Sequence, residues 1–165
     1  MKQLTLVRHA KAEEGNFIYG LSDIERSLTK KGEIQARQAG NFLLKNDEKP
    51  NLILSSPAKR ALQTAEFIAD ELSYNKRLIT TDSVIYSGDE NAILERICQI
   101  DNKIDHVLLC GHNPTILILA NLLNETKRNH FKKSYVLGLS FKINHWFDLF
   151  EEQKGNEKFK FEPEV

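Results

Sequence analysis

The chain has 165 residues, of which 41% are hydrophobic and 28% charged. That length suits one packed domain better than two, and that composition excludes disordered, fibrous and collagen-like chains. Lys plus Arg and Asp plus Glu both total 23, which leaves no global field to draw the protein to nucleic acid or membrane, so any positive potential must be local.

The two cysteines, Cys98 and Cys110, fall in apolar segments and read as small core residues, not as a disulfide framework or metal site. No signal peptide pattern opens the sequence, and the longest apolar run, Ile116 to Ala120, is too short to cross a bilayer. These features point to the cytoplasm.

The first element is an apolar run, Leu4 to Val7, which reads as a buried strand and ends directly in Arg8-His9. Lys11 to Ser27 shows no sustained period and reads as a long loop; Phe17, Ile18 and Tyr19 within it are expected to tuck under it. Thr29 caps a predicted helix to about Lys45, whose small residues Gly32, Ala36, Ala39 and Gly40 form one stripe that can approach a sheet closely. Leu52 to Leu54 reads as a second strand. Ser56-Pro57 then predicts a helix start, with Arg60 in the first turn and Ala61, Ala65, Ile68 and Leu72 facing the core.

Leu78 to Thr81 suggests a third strand, and Ser87-Gly-Asp-Glu90 a capping box before a helix buried through Ile93, Leu94 and Ile97. Val107 to Cys110 is apolar throughout and predicts a central strand. It ends in Gly111-His112, and Asn113-Pro114 predicts the start of a helix buried all round, to about Leu123. From Tyr135 the period becomes two, with Leu137, Leu139, Phe141 and Ile143 on one face, which predicts a half-buried strand. A turn at Asn144-His145 leads to an expected partner strand at Trp146 to Phe150. Phe159 and Phe161 suggest an edge strand in an otherwise peripheral tail after about residue 151.

Strand alternating with helix predicts an α/β chain: a three-layer α/β/α sandwich with a mainly parallel central sheet, as one domain over 1–165. Three predicted strand ends deliver Arg8-His9, Arg60 and Gly111-His112 to one edge of that sheet, the carboxyl edge, where open α/β sheets bind ligands. Two imidazoles and two guanidinium forks at helix starts suit a doubly charged anion. An imidazole nitrogen among such donors can attack phosphorus when an acceptor fixes the other nitrogen. His9 is the candidate nucleophile.

Four motifs, Leu6-Val-Arg-His-Ala-Lys11, Arg26-Ser-Leu-Thr-Lys-Lys-Gly32, Ser55-Ser-Pro-Ala-Lys-Arg-Ala-Leu-Gln-Thr64 and Gly111-His-Asn-Pro114, follow one another in an order that resembles the histidine phosphatase superfamily. The resemblance spans nearly the whole chain and lies nearest the small bacterial phosphohistidine phosphatases of SixA type. It implies a phosphoglycerate mutase-like fold and a phosphohistidine intermediate on His9. It also implies that Arg8, Arg60 and His112 bind the phosphoryl oxygens with Arg26 as a flanking contact, and that no metal or other cofactor takes part. The third position of the family's Arg-His-Gly triplet is Ala10 here. The family's general acid has no firm counterpart; Asp89, with Glu90, is the substrate-contacting candidate, although both also suit a helix start.

The expected function is a metal-independent phosphatase that dephosphorylates phosphohistidine on a protein, such as a histidine phosphotransfer domain. The alternatives are a phosphomonoesterase for a small metabolite or sugar phosphate and a non-catalytic phosphoprotein-binding module. His106, His130 and His145 show no ligand spacing, and Lys127-Arg128 with Lys132-Lys133 reads as a solvated basic patch open to an acidic protein partner.

Overall fold

The computed structural model describes residues 1–15, 20, 22–151 and 154–164. The expectation for Phe17, Ile18 and Tyr19 therefore lies outside the described residues. Strand β1 (Lys2–Arg8) pairs with β4 (His106–Gly111) on one side and β5 (Val136–Phe141) on the other. Strand β2 (Leu52–Ser55) lies beyond β4, and the two-residue β3 (Thr80–Thr81) forms that edge; β6 (Asn156–Phe161) forms the other. The order is β3-β2-β4-β1-β5-β6. The pairs among β3, β2, β4 and β1 are parallel, while β1–β5 and β5–β6 are antiparallel. This is the expected α/β architecture, with a mixed and mostly parallel sheet.

Alternation along the strands separates two cores. Val107 and Leu109 of β4 face one layer, with Leu4, Leu6 and Leu137, against α4 (Glu90–Cys98) and α5 (Thr115–Leu123). Leu108 and Cys110 face the other, with Val7, Ile53 and Val136, against α1 (Lys30–Lys45) and α2 (Lys59–Glu71). Both cysteines are free and buried, as small core residues should be. Among the described residues no helix is long and apolar enough to cross a membrane.

Helix α1 begins as its sequence predicts: the Thr29 hydroxyl accepts from the Gly32 amide at 3.0 Å. Three other starts differ. The Ser56-Pro57 start is displaced, because α2 begins at Lys59 and the Ser56 hydroxyl, though it accepts from the Ala58 amide, is taken up by His112. Asp89, not Ser87, caps α4 by accepting from the Ala92 amide at 2.9 Å, and Ser87 ends a short helix α3 (Val84–Ser87). Pro114 is the N-cap of α5, since the Asn113 side-chain amide is drawn to the Phe131 carbonyl.

Helix α5 is half-buried, with Ile118 exposed opposite Ile116, Leu119 and Leu123. Strand β5 is covered on both faces, its residues divided between the two cores, and it stops at Phe141. The strand expected at Trp146 to Phe150 is instead a 3-10 helix. Trp146 is fully buried there, its indole N–H donates to the Ile104 carbonyl, and its backbone N–H is held by Asn102, so packing overrides the strand-like composition. Phe159 and Phe161 do lie in an edge strand.

Candidate active site

The register sets the site. Arg8 pairs with Gly111, and Ser55 with Cys110, so the carboxyl ends of β1, β2 and β4 finish level. His9, Arg60 and His112 follow those ends on the loop after β1, the first turn of α2 and the loop before α5. Together with Arg8, Ala12, Arg26, Asn113 and Lys133 they line a pocket of about 270 Å³. Among the described residues, Ala12 is its one apolar lining residue.

His9 is 7% exposed. Its Nδ1 lies 2.7 Å from the Ala10 carbonyl oxygen. That oxygen can only accept, so Nδ1 carries the proton and Nε2 keeps its lone pair. The Ala10 backbone is itself fixed: its N–H donates to Thr64 Oγ1 at 3.0 Å, and the Thr64 hydroxyl donates to the Arg60 carbonyl at 2.7 Å. The next amide, of Lys11, donates to Gln35 Oε1. Burial lowers the His9 pKa; the Ala10 hydrogen bond raises it, and His112, Arg60 and Arg8 lower it further, to about 3. The ring is therefore neutral at physiological pH.

The rings of His9 and His112 are 5.2 Å apart between centroids. His112 Nε2 meets the Ser56 hydroxyl at 2.8 Å, while its Nδ1 is buried with no partner among the described residues. Burial and then Arg60 push its pKa down to about 4. Arg8 donates through Nη1 to the Phe131 carbonyl at 3.0 Å, and its Nε is buried without a partner. Arg60, 5% exposed, leaves its Nε equally unpartnered. Buried donors without partners are rare in folded proteins. Here they converge on one cationic pocket, chemistry suited to the oxygens of an anion.

Several participants were not singled out by the sequence. Asp23, in a 3-10 turn (Asp23–Glu25), accepts from Arg60 Nη2 at 3.0 Å and from Arg26 Nε at 3.0 Å, while its backbone oxygen accepts from Arg60 Nη1 at 2.8 Å. The Tyr86 hydroxyl donates to the same carboxylate at 2.9 Å. Desolvation raises the Asp23 pKa, but the hydrogen bonds from Tyr86, Arg26 and Arg60 outweigh it and hold it at about 2. Lys133 is exposed, as expected, and also lines the pocket; partial burial, then Arg8, Lys11 and Arg26, lower its pKa. The clue available was position, since Lys133 lies just before β5, an antiparallel strand that starts where β1 ends. Asp89 is placed elsewhere: its carboxylate caps α4, and it is not among the pocket's lining residues.

The sequence profile of the histidine phosphatase superfamily (branch 1) matches residues 4–84, a span that holds His9, Arg8, Arg26 and Arg60. An uncharacterised protein of Mycobacterium tuberculosis is 30% identical over 119 residues, covering 71% of this chain and 69% of that protein. A 2,3-bisphosphoglycerate-dependent phosphoglycerate mutase of Hamiltonella defensa is 36% identical over 74 residues, covering 44% of this chain and 29% of that one. Among solved structures, protein histidine phosphatase SixA complexed with tungstate superposes with a TM-score of 0.80 at 23% identity, over 98% of this chain and 97% of that one. Mycobacterial glucosyl-3-phosphoglycerate phosphatase with inorganic phosphate superposes with a TM-score of 0.65 at 17% identity, over 96% of each. The fold is thus shared with SixA proteins across nearly the full chain. The chain belongs to the histidine phosphatase superfamily, branch 1.

Proposed function

We propose that this protein is a metal-independent phosphatase that forms a phosphohistidine on His9 and takes its phosphoryl group from phosphohistidine on a protein. The observation that carries this reading is the His9 Nδ1 contact with the Ala10 oxygen at 2.7 Å, which leaves Nε2 unprotonated within a ring of cations. Nε2 attacks phosphorus, and the bond from phosphorus to the substrate nitrogen breaks with its electron pair going to that nitrogen. Water then attacks the His9 adduct, releasing inorganic phosphate and restoring the imidazole. Arg8, Arg60 and His112, flanked by Arg26, hold the equatorial oxygens, where charge is concentrated in transit.

The choice of a phosphorus–nitrogen substrate rests on proton supply. No carboxylate is among the described lining residues, and Asp23 behind them, at about 2, is ionised at neutral pH and cannot donate. An ester needs a proton on its departing alkoxide; an imidazole protonated at its far nitrogen leaves as a neutral molecule. Three arginines and a lysine also make the pocket hostile to a divalent cation.

The test is a turnover panel of phosphohistidine protein, phosphoramidate, sugar phosphates and an aryl phosphate, with and without chelator, on wild type and His9→Ala. The expected result is preference for phosphorus–nitrogen substrates, indifference to chelator, and a wild-type phosphoenzyme that is acid-labile and alkali-stable. Comparable rates for the two proteins would reject the nucleophile, and faster turnover of sugar phosphates would reassign the substrate to a metabolite.

A further inference from the structure

We propose that the groove running from the catalytic pocket across the β5–β6 edge is the docking site for an acidic face of the phosphoprotein substrate. This rests on the phosphohistidine reading above and adds how the substrate is recognised.

Strand β6 is antiparallel to β5, so its carboxyl end returns to the rim that carries His9. Three depressions share residues along that rim. The catalytic pocket and a second one, of about 320 Å³, both include Arg8 and Lys133. The second, which adds Lys132, joins a third of about 390 Å³ through Glu162; Lys127, Arg128 and Lys160 line that third one. The three are lined by eight lysine and arginine side chains against one carboxylate, in a chain whose totals are equal. Asp23 and Glu157 stand behind, paired with Arg26, Arg60 and Arg128, and with these two counted five cations remain in excess. Neutrality of the whole molecule conceals a one-sided field.

Among the described residues, the catalytic pocket that grips a phosphoryl group offers one apolar side chain to whatever bears it, which leaves recognition to the surface around it. The groove supplies it. An acidic protein face fits better than nucleic acid for two reasons. Tyr135 is buried and Phe161 is stacked on Phe42, so neither gives a base a surface to lie on. Glu162, paired with Lys132, sits among the cations, where a polyphosphate would be repelled but a protein of mixed charge finds complementarity.

The experiment compares peptides that carry one phosphohistidine followed by a run of glutamate, glutamine or lysine. The enzymes are wild type and Lys132→Glu/Lys160→Glu, whose side chains are 61% and 65% exposed. Wild type should process the glutamate peptide about tenfold more efficiently (kcat/KM) than the glutamine peptide at low salt, with the advantage lost at high salt. The double variant should lose that preference yet hydrolyse small phosphoramidate at the wild-type rate. Equal efficiency on all three peptides, or a preference that survives the double variant, would overturn docking and leave the chemistry standing. Failure to hydrolyse any peptide while sugar phosphates turn over would overturn both. Stronger inhibition by single-stranded DNA than by polyglutamate of matched charge would give the groove to nucleic acid and overturn the proposal.

Discussion

The two ends of the central sheet both bury polar groups and treat them in opposite ways. At the amino end, Lys2 is 2% exposed, and its ammonium donates to the Asn102 and Ile104 carbonyls at 2.6 and 3.1 Å and to Asp105 at 2.8 Å. His106 meets the Thr5 hydroxyl at 2.8 Å, and buried Glu48 is paired with Lys158 at 2.7 Å. At the carboxyl end, Arg8 Nε, Arg60 Nε, His112 Nδ1 and Asn113 Oδ1 are buried with no protein partner, four of the six such atoms among the described residues. Saturated polarity holds a structure together. Polarity left open along one rim is a demand for a ligand.

Substitutions at the two ends should therefore fail differently. His9→Ala is expected to lower phosphatase turnover at least about ten-thousandfold, as removal of a nucleophile does. Its melting temperature should hold, since the buried ring gives up solvation to stay in place. A variant that lost both would show His9 to be structural. Arg60→Ala should lower kcat about a hundred- to a thousandfold by removing transition-state donors. It should also release Arg26 and Asp23, which kinetics of an Arg26→Ala companion would resolve.

At the other end, Lys2→Ala removes a buried ammonium from the Asn102 and Ile104 carbonyls and from Asp105, and should cost about 2 kcal/mol in urea unfolding, with kcat unchanged. A loss of activity in the folded Lys2 variant would break the contrast between the ends. A further effect is graded with pH. His9, His112 and His106 are held at about 3, about 4 and about 4, the last by burial and then by Lys158. The unfolded chain takes up protons near pH 6.5, and the folded chain refuses them until far lower. Stability is thus fullest above about 6.5 and declines on acidification towards about 4, by up to about 1.4 kcal/mol per pH unit for each fully buried histidine. Partly exposed His112 contributes less. Urea midpoints that stay level from pH 7 to pH 5 would contradict these shifts, as would a kcat/KM profile inflecting near 6.5.

Much of this was legible because it is local and periodic. Strand ends, the Thr29 cap and the apolar stripes each depend on neighbours within a turn or two, and the parallel order then fixes which edge His9, Arg60 and His112 share. What was hidden is what distant residues compete for. Ser56 reads as a helix cap until His112, 56 positions away, claims its hydroxyl. Arg60 reads as an anion ligand beyond a strand end, and nothing near it in sequence shows that Asp23, 37 positions earlier, meets it. Trp146 has strand-like neighbours but finds its hydrogen bonds 42 and 44 residues back. Propensity gives way wherever a buried donor has one acceptor within reach.

The glycine at position 32 stands against Lys11: a β-carbon there would come within 2.0 Å of the Lys11 carbonyl oxygen. That carbonyl accepts from the Thr29 amide, and the peptide link joining Ala10 to Lys11 supplies the oxygen that holds the His9 proton. The tautomer of the imidazole is thus set by steric fit between a helix and a turn. Redrawing the pocket's charges should leave the proton where it is, whereas one methyl group at residue 32, behind the chemistry and invisible from the solvent side, could silence the enzyme.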